Sequence, residues 1–78
     1  MNVSELRIGE KRKIAKVGGV GVVRHRLLEM GIIPGTQVSV TKKAPLGDPI
    51  QIHIRGYELS IRKEDALLIE LSEEEEKR

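Results

Sequence analysis

Seventy-eight residues allow one small domain, and with no cysteine and a 38% hydrophobic share its stability has to come from aliphatic packing without disulfides. No apolar run nears the ~20 residues of a membrane-spanning helix, and the N-terminus lacks the apolar stretch of a signal peptide, so direct membrane insertion is excluded and a cytoplasmic protein is expected. Charge is split along the chain: residues 1–63 hold twelve Lys and Arg against five acids, net +7, whereas residues 64–78 hold two against seven, net −5, giving a basic body suited to anionic partners and an acidic end.

In chain order, residues 3–9 read as a short turn that Ser4 caps and Gly9 ends. Residues 12–17 predict a first strand. Gly18, Gly19 and Gly21 break the chain ahead of a helix over 22–30, where Val22, Val23, Leu27 and Met30 gather on one arc. Gly31 closes that helix, and Ile33, preceding Pro34, is pushed out of helical geometry. Residues 36–43 follow as a half-buried strand with Val38 and Val40 on one face.

Beyond the next loop, Ile50, Ile52 and Ile54 alternate with Gln51, His53 and Arg55, which turns His53 outward. Leu59 and Ile61 continue the alternation opposite Ser60 and Arg62. Between the two runs Gly56 takes positive φ cheaply, so residues 55–58 read as a tight hairpin. Residues 63–66 suit one helical turn and 67–71 a last short strand. The expected fold is mainly β: a small five-stranded barrel with one short helix inserted after the first strand, its closure removing most sheet edges. It occupies residues 1–72 as a single domain, and the charged run 73–78 is expected to be a frayed tail.

All three prolines and three of the eight glycines fall within 27–35 and 44–49, and loops of such restricted backbone commonly present something. Ala44 and Asp48 each precede proline, so the second loop is stiff in advance and loses little entropy on binding. On the helix, Leu28 falls off the apolar arc between Arg24 and His25, an apolar anchor flanked by cations that steer an acidic or amphipathic partner. The candidate partner-binding residues are therefore Arg24, His25 and Leu28 together with Pro45, Leu46 and Asp48. Asp48 suits capping of a local turn better than contact with a metal.

Chemistry of other kinds finds little support. His25 and Glu29, four apart on one helix face, supply two ligands of a divalent metal site, which makes them at most weak candidates; no cofactor is firmly implied. The stretch from Gly19 to Arg24 lacks the final glycine of G-x-G-x-x-G, and no Gly-Lys-Ser/Thr follows it. Ser4, Ser39, Ser60 and Ser72 lie outside any nucleophile elbow and neither histidine stands in a triad string, so neither enzymatic activity nor a small-molecule substrate is expected. Tyr57 is the one aromatic residue, which leaves nucleic acid without a stacking platform, and nucleic acid is not expected as a partner.

Four strings in this order and spacing, Leu27-Leu28-Glu29-Met30-Gly31-Ile32 with Pro34-Gly35, Ala44-Pro45-Leu46-Gly47-Asp48-Pro49-Ile50, Arg55-Gly56-Tyr57 and Leu59-Ser60-Ile61-Arg62, resemble the FeoA family. The resemblance runs from Leu6 to Ile69 and departs from the family pattern at Gly18-Gly19-Val20-Gly21 and in the acidic tail. It implies a Src-homology-3-like barrel, and a cytoplasmic accessory of bacterial ferrous iron uptake that acts by protein–protein contact with the membrane GTPase transporter FeoB. Similar domains close iron-dependent DNA-binding repressors; with no room for a preceding helix-turn-helix, this chain resembles the stand-alone form. The alternative readings are a salt-dependent nucleic-acid-binding barrel and a metal-sensing module. Oligomeric state is left open.

Overall fold

Period-two alternation builds the sheet. In the computed structural model, which describes residues 1–76, Lys11–Val17 (β1), Gln37–Lys43 (β2), Ile50–Ile54 (β3), Tyr57–Ile61 (β4) and Ile69–Leu71 (β5) form one antiparallel sheet in the order β4-β3-β2-β1-β5. Ile50, Ile52 and Ile54 face inward and meet Val38 and Val40 of β2 in a buried, wholly aliphatic core, while Tyr57 stays outside it. The fold is therefore mainly β and five-stranded, as expected.

β1 serves two partners. Its first half pairs with β2 (Lys11 with Ser39, Lys13 with Gln37) and its second half with β5 (Ile14 with Leu71, Val17 with Ile69). The register shifts between Ile14 and Lys16, leaving Ala15 as an extra residue, and a bulge of this kind bends a strand and increases its twist, which rolls the sheet. β4 and β5 are the two outermost strands of the roll. The chain crosses from one to the other through the single helical turn Lys63–Ala66 (α2), burying Ala66 on the way.

The inserted helix, Gly21–Glu29 (α1), starts one residue earlier than expected, with Met30 as its cap and Gly31 at φ 92° beyond it. Its burial differs more. Leu27 alone is buried; Leu28 and Met30 are partly buried against the core, Val23 is about one-third exposed and Val22 is open to solvent. Nine residues give about two and a half turns at 3.6 residues per turn, and only the last of these bears on the core. The apolar arc read from the sequence thus overstates the buried face.

Two smaller corrections follow from hydrogen bonding. The first turn, Val3–Glu5, is capped by Asn2 rather than Ser4: Asn2 Oδ1 accepts the Ser4 N–H at 2.9 Å and Glu5 Oε1 accepts the Asn2 N–H at 3.0 Å, a capping box. β5 is shorter than the expected 67–71 because Leu67 and Leu68 complete the turn after α2, their N–H groups donating to Lys63 and Asp65 carbonyls. Beyond β5 the acidic run returns beside β1. Ser72 N–H donates to the Lys13 carbonyl and Glu76 N–H to that of Lys11, while Arg12 Nη1 donates to the Ser72 carbonyl at 2.9 Å. Lys77 and Arg78, the end of the stretch expected to fray, lie outside the described residues.

Candidate partner-docking site

The β2–β3 connection, residues 44–49, is fixed by its own backbone. Ala44 N–H donates to the Pro49 carbonyl at 3.1 Å and Gly47 N–H to the Ala44 carbonyl at 2.7 Å, while Lys43 and Ile50 close the ladder below; the Asp48–Pro49 peptide is cis. Asp48 Oδ1 accepts the Lys63 N–H at 2.9 Å. That bond occupies one of the donors that a helix start leaves unpaired, so Asp48 caps α2 and ties the loop to it. Pro45 and Leu46 are left projecting, and Leu46, at 92% exposure, is the most exposed large apolar side chain among the described residues. Beside them lies a shallow cavity of about 310 Å³ lined by Lys42, Ala44, Pro45, Pro49, Gln51 and Ser60.

The helix candidates are engaged differently. Arg24 Nε donates to the Val17 carbonyl at 3.2 Å, folding the guanidinium back on the end of β1. His25 Nε2 and Glu29 Oε2 are 3.2 Å apart and both exposed, an ordinary i, i+4 pair. Among the described residues no group of three or more His, Asp or Glu gathers as a metal site. Leu28 is half-buried against the core. Arg26, which the sequence did not single out, reaches Asp65 on α2 at 3.0 Å and partners one of the two buried carboxylates; Glu10, held by Arg12 at 2.8 Å, is the other.

These two candidate sets do not meet. α1 ends where Tyr57 donates its hydroxyl proton to the Met30 carbonyl, at the β3–β4 turn, whereas residues 44–49 close the opposite end of the same hairpin. A five-residue strand at ~3.3 Å per residue puts about 13 Å between the two ends.

The sheet face behind the loop is locked by a single carboxylate. Glu58 Oε1 accepts from Thr41 Oγ1 at 2.8 Å and Gln51 Nε2 at 3.0 Å, and Oε2 meets His53 Nδ1 at 2.6 Å, so one side chain on β4 ties β2 and β3 together. Hydrogen bonds from Gln51, Thr41 and His53 stabilise its ionised form and lower its pKa to about 2. His53 faces outward, as the alternation required. Sequence reasoning missed the exposure of Val20 and Val22, 84% and 82%, beside the glycine break. The available signal was the break itself: glycines 18, 19 and 21 bring no side chains to cover their valine neighbours.

The model of the FeoA domain matches residues 1–73. A Porphyromonas gingivalis protein described as an Fe(2+) transport protein A/Fe(2+) transporter FeoB fusion is 45% identical over 71 residues, which are 91% of this chain and only 8% of that one. The solution structure of iron(II) transport protein A from Clostridium thermocellum superposes with a TM-score of 0.88 at 35% identity, covering 92% of this chain and 44% of that one. The crystal structure of zinc-complexed FeoA from Stenotrophomonas maltophilia, described as a prokaryotic SH3 domain protein, gives a TM-score of 0.81 over 92% of this chain and 89% of that one; at 22% identity the likeness is one of fold.

Proposed function

The chain belongs to the FeoA domain family, and from that membership we propose that it is a non-enzymatic accessory of bacterial ferrous iron uptake, docking in the cytoplasm on a FeoB-type membrane transporter. The observation that carries this reading is the relative in which a homologous domain and the transporter share one polypeptide. Fusion holds two partners at high effective concentration, an arrangement that suits domains acting on each other. Among the described residues no helix is long and apolar enough to cross a membrane.

Pro45 and Leu46 are the contact the geometry favours. Their backbone is held by two hydrogen bonds and by Asp48, so docking orders little chain, and burying one leucine contributes roughly 1.5–3 kcal/mol. Arg24, His25 and Leu28 are a poorer choice, being turned back on the barrel, paired or half-buried. Lys42 beside the cavity and Lys63 behind Asp48 add positive potential that speeds approach to an acidic surface.

Co-purification from native-host membranes, with the transporter gene intact or deleted, tests the reading. Recovery is expected only with the transporter present, and Leu46→Ser should weaken it about tenfold or more while leaving the melting temperature unchanged. Equal recovery without the transporter, or unchanged affinity of Leu46→Ser, overturns it.

A further inference from the structure

The rolled sheet has two edges, and only one is finished. At β5, Leu71 N–H donates to the Met1 carbonyl at 2.7 Å and Asn2 bridges to Glu70, so the N-terminal segment covers that edge. Among the described residues β4 has no such cover. Its hairpin turns through Arg55 at φ 52° and Gly56 at φ 84°, a two-residue turn of the kind whose twist matches the strands. Such a turn closes on a hydrogen-bonded pair, here Ile54 with Tyr57, and alternation makes Ile52 with Leu59 and Ile50 with Ile61 the next two. The N–H and C=O groups of Glu58 and Ser60 therefore point away from β3, and among the described residues no turn, loop or cap backbone group takes them.

Edge strands are usually blunted by proline, lysine or a bulge. Tyr-Glu-Leu-Ser-Ile has none of these: its register with β3 is unbroken and its one charge, Glu58, is turned onto the outer face by Thr41, Gln51 and His53. Tyr57, 43% exposed, and half-buried Leu59 form an apolar ledge along the other face. Charge decides what fits. Arg55 stands at one end of the edge and Lys63 just past the other, neither in an ion pair among the described residues, whereas Arg62 is held by Glu64 and Asp65. A second copy laid antiparallel about Leu59 would bring Arg55 of one beside Lys63 of the other, like against like. An extended segment acidic at its two ends and uncharged between them meets both cations without setting a carboxylate opposite Glu58.

We propose that the open edge of β4 is a strand-addition site for an extended segment of a partner protein, one with an acidic residue at each end and aliphatic residues alternating with uncharged polar ones between them. Ser60 belongs both to this edge and to the cavity beside Leu46, so a segment on β4 runs directly into the docking loop. The site rests on the docking reading for the partner's identity alone; its chemistry stands on β4.

Amide hydrogen exchange followed by NMR on the full chain tests it, with the acetylated and amidated peptide Glu-Thr-Val-Thr-Val-Thr-Val-Thr-Glu as probe and the same peptide with lysine at both ends as control. At saturating acidic peptide, exchange at Glu58 and Ser60 should slow by about threefold or more, while Leu59, already bonded to β3, is unaffected. Ser60→Pro, which deletes a donor β3 does not use, should abolish the response with the thermal transition retained; if this variant does not fold, the alternating protection in the parent protein decides alone. Unprotected Glu58 and Ser60, or equal protection by the lysine peptide, overturns the proposal. Protection that grows with protein concentration in the absence of peptide also overturns it, in favour of a second copy. Failure of transporter capture with the peptide result intact removes the docking reading and leaves the edge site standing.

Discussion

Glu58 shows how much one exposed side chain can organise. Its carboxylate takes three hydrogen bonds from two neighbouring strands, and they hold its pKa at about 2 against an ordinary 4.5. Because the folded-state value is depressed, the stabilisation is present in full above the unfolded value and is lost as pH falls from 4.5 towards 2. Glu10 adds a slope of the same sign, since the Arg12 hydrogen bond and then the Arg7 N–H lower its pKa as well. Urea unfolding at a series of pH values should therefore show wild-type stability falling through this window and Glu58→Gln falling less steeply; an unchanged acid slope in the variant would remove Glu58 from the account. At this scale the sequence was partly legible. His53 facing outward and Gly56 turning the hairpin follow from alternation and from glycine's freedom at positive φ. Arg55 at φ 52° does not, because nothing in arginine's chemistry favours the left-handed region: the two-residue turn imposes it.

Among the elements, α1 is where hydropathy misled. Val22 and Val23 are as apolar as Leu27, yet the helix bears on the core through its last turn only, and the position of that turn is set by the barrel rather than by the helix's own pattern. Leu27→Ala should lower unfolding free energy by about 2–5 kcal/mol, and Val22→Lys should change it by less than about 0.5 kcal/mol, both read from chemical denaturation midpoints; a large loss at Val22 would contradict its exposure. β3 is the opposite case. A strand with one face in the core writes its orientation into every second residue, so both the identity and the facing of Ile50, Ile52 and Ile54 could be read in advance. The candidate loop was legible for a third reason: prolines and glycines declare restricted backbone, although the pairing of Asp48 with Lys63 is a long-range contact that only the folded chain supplies.

For the molecule as a whole, five strands and a helix could be counted from the sequence, but not the order β4-β3-β2-β1-β5, since pairing depends on where β1 bends and on which edge the N-terminal segment covers. That topology also separates the two sets of candidate residues that the sequence had grouped together. The Met1–Leu71 hydrogen bond joins the first residue to the last strand. Entrance and exit of the barrel are neighbours, so the polypeptide amounts to a nearly closed ring that happens to be cut at that seam. Splicing residue 72 to residue 1 through a short glycine linker and reopening the ring between Leu46 and Gly47 should give a permuted protein with the same amide NMR pattern in its sheet, whereas loss of that pattern would mean the present cut point is needed for folding. A ring of this kind can be set inside a loop of a larger polypeptide with little disturbance, since its two junctions to the host lie side by side.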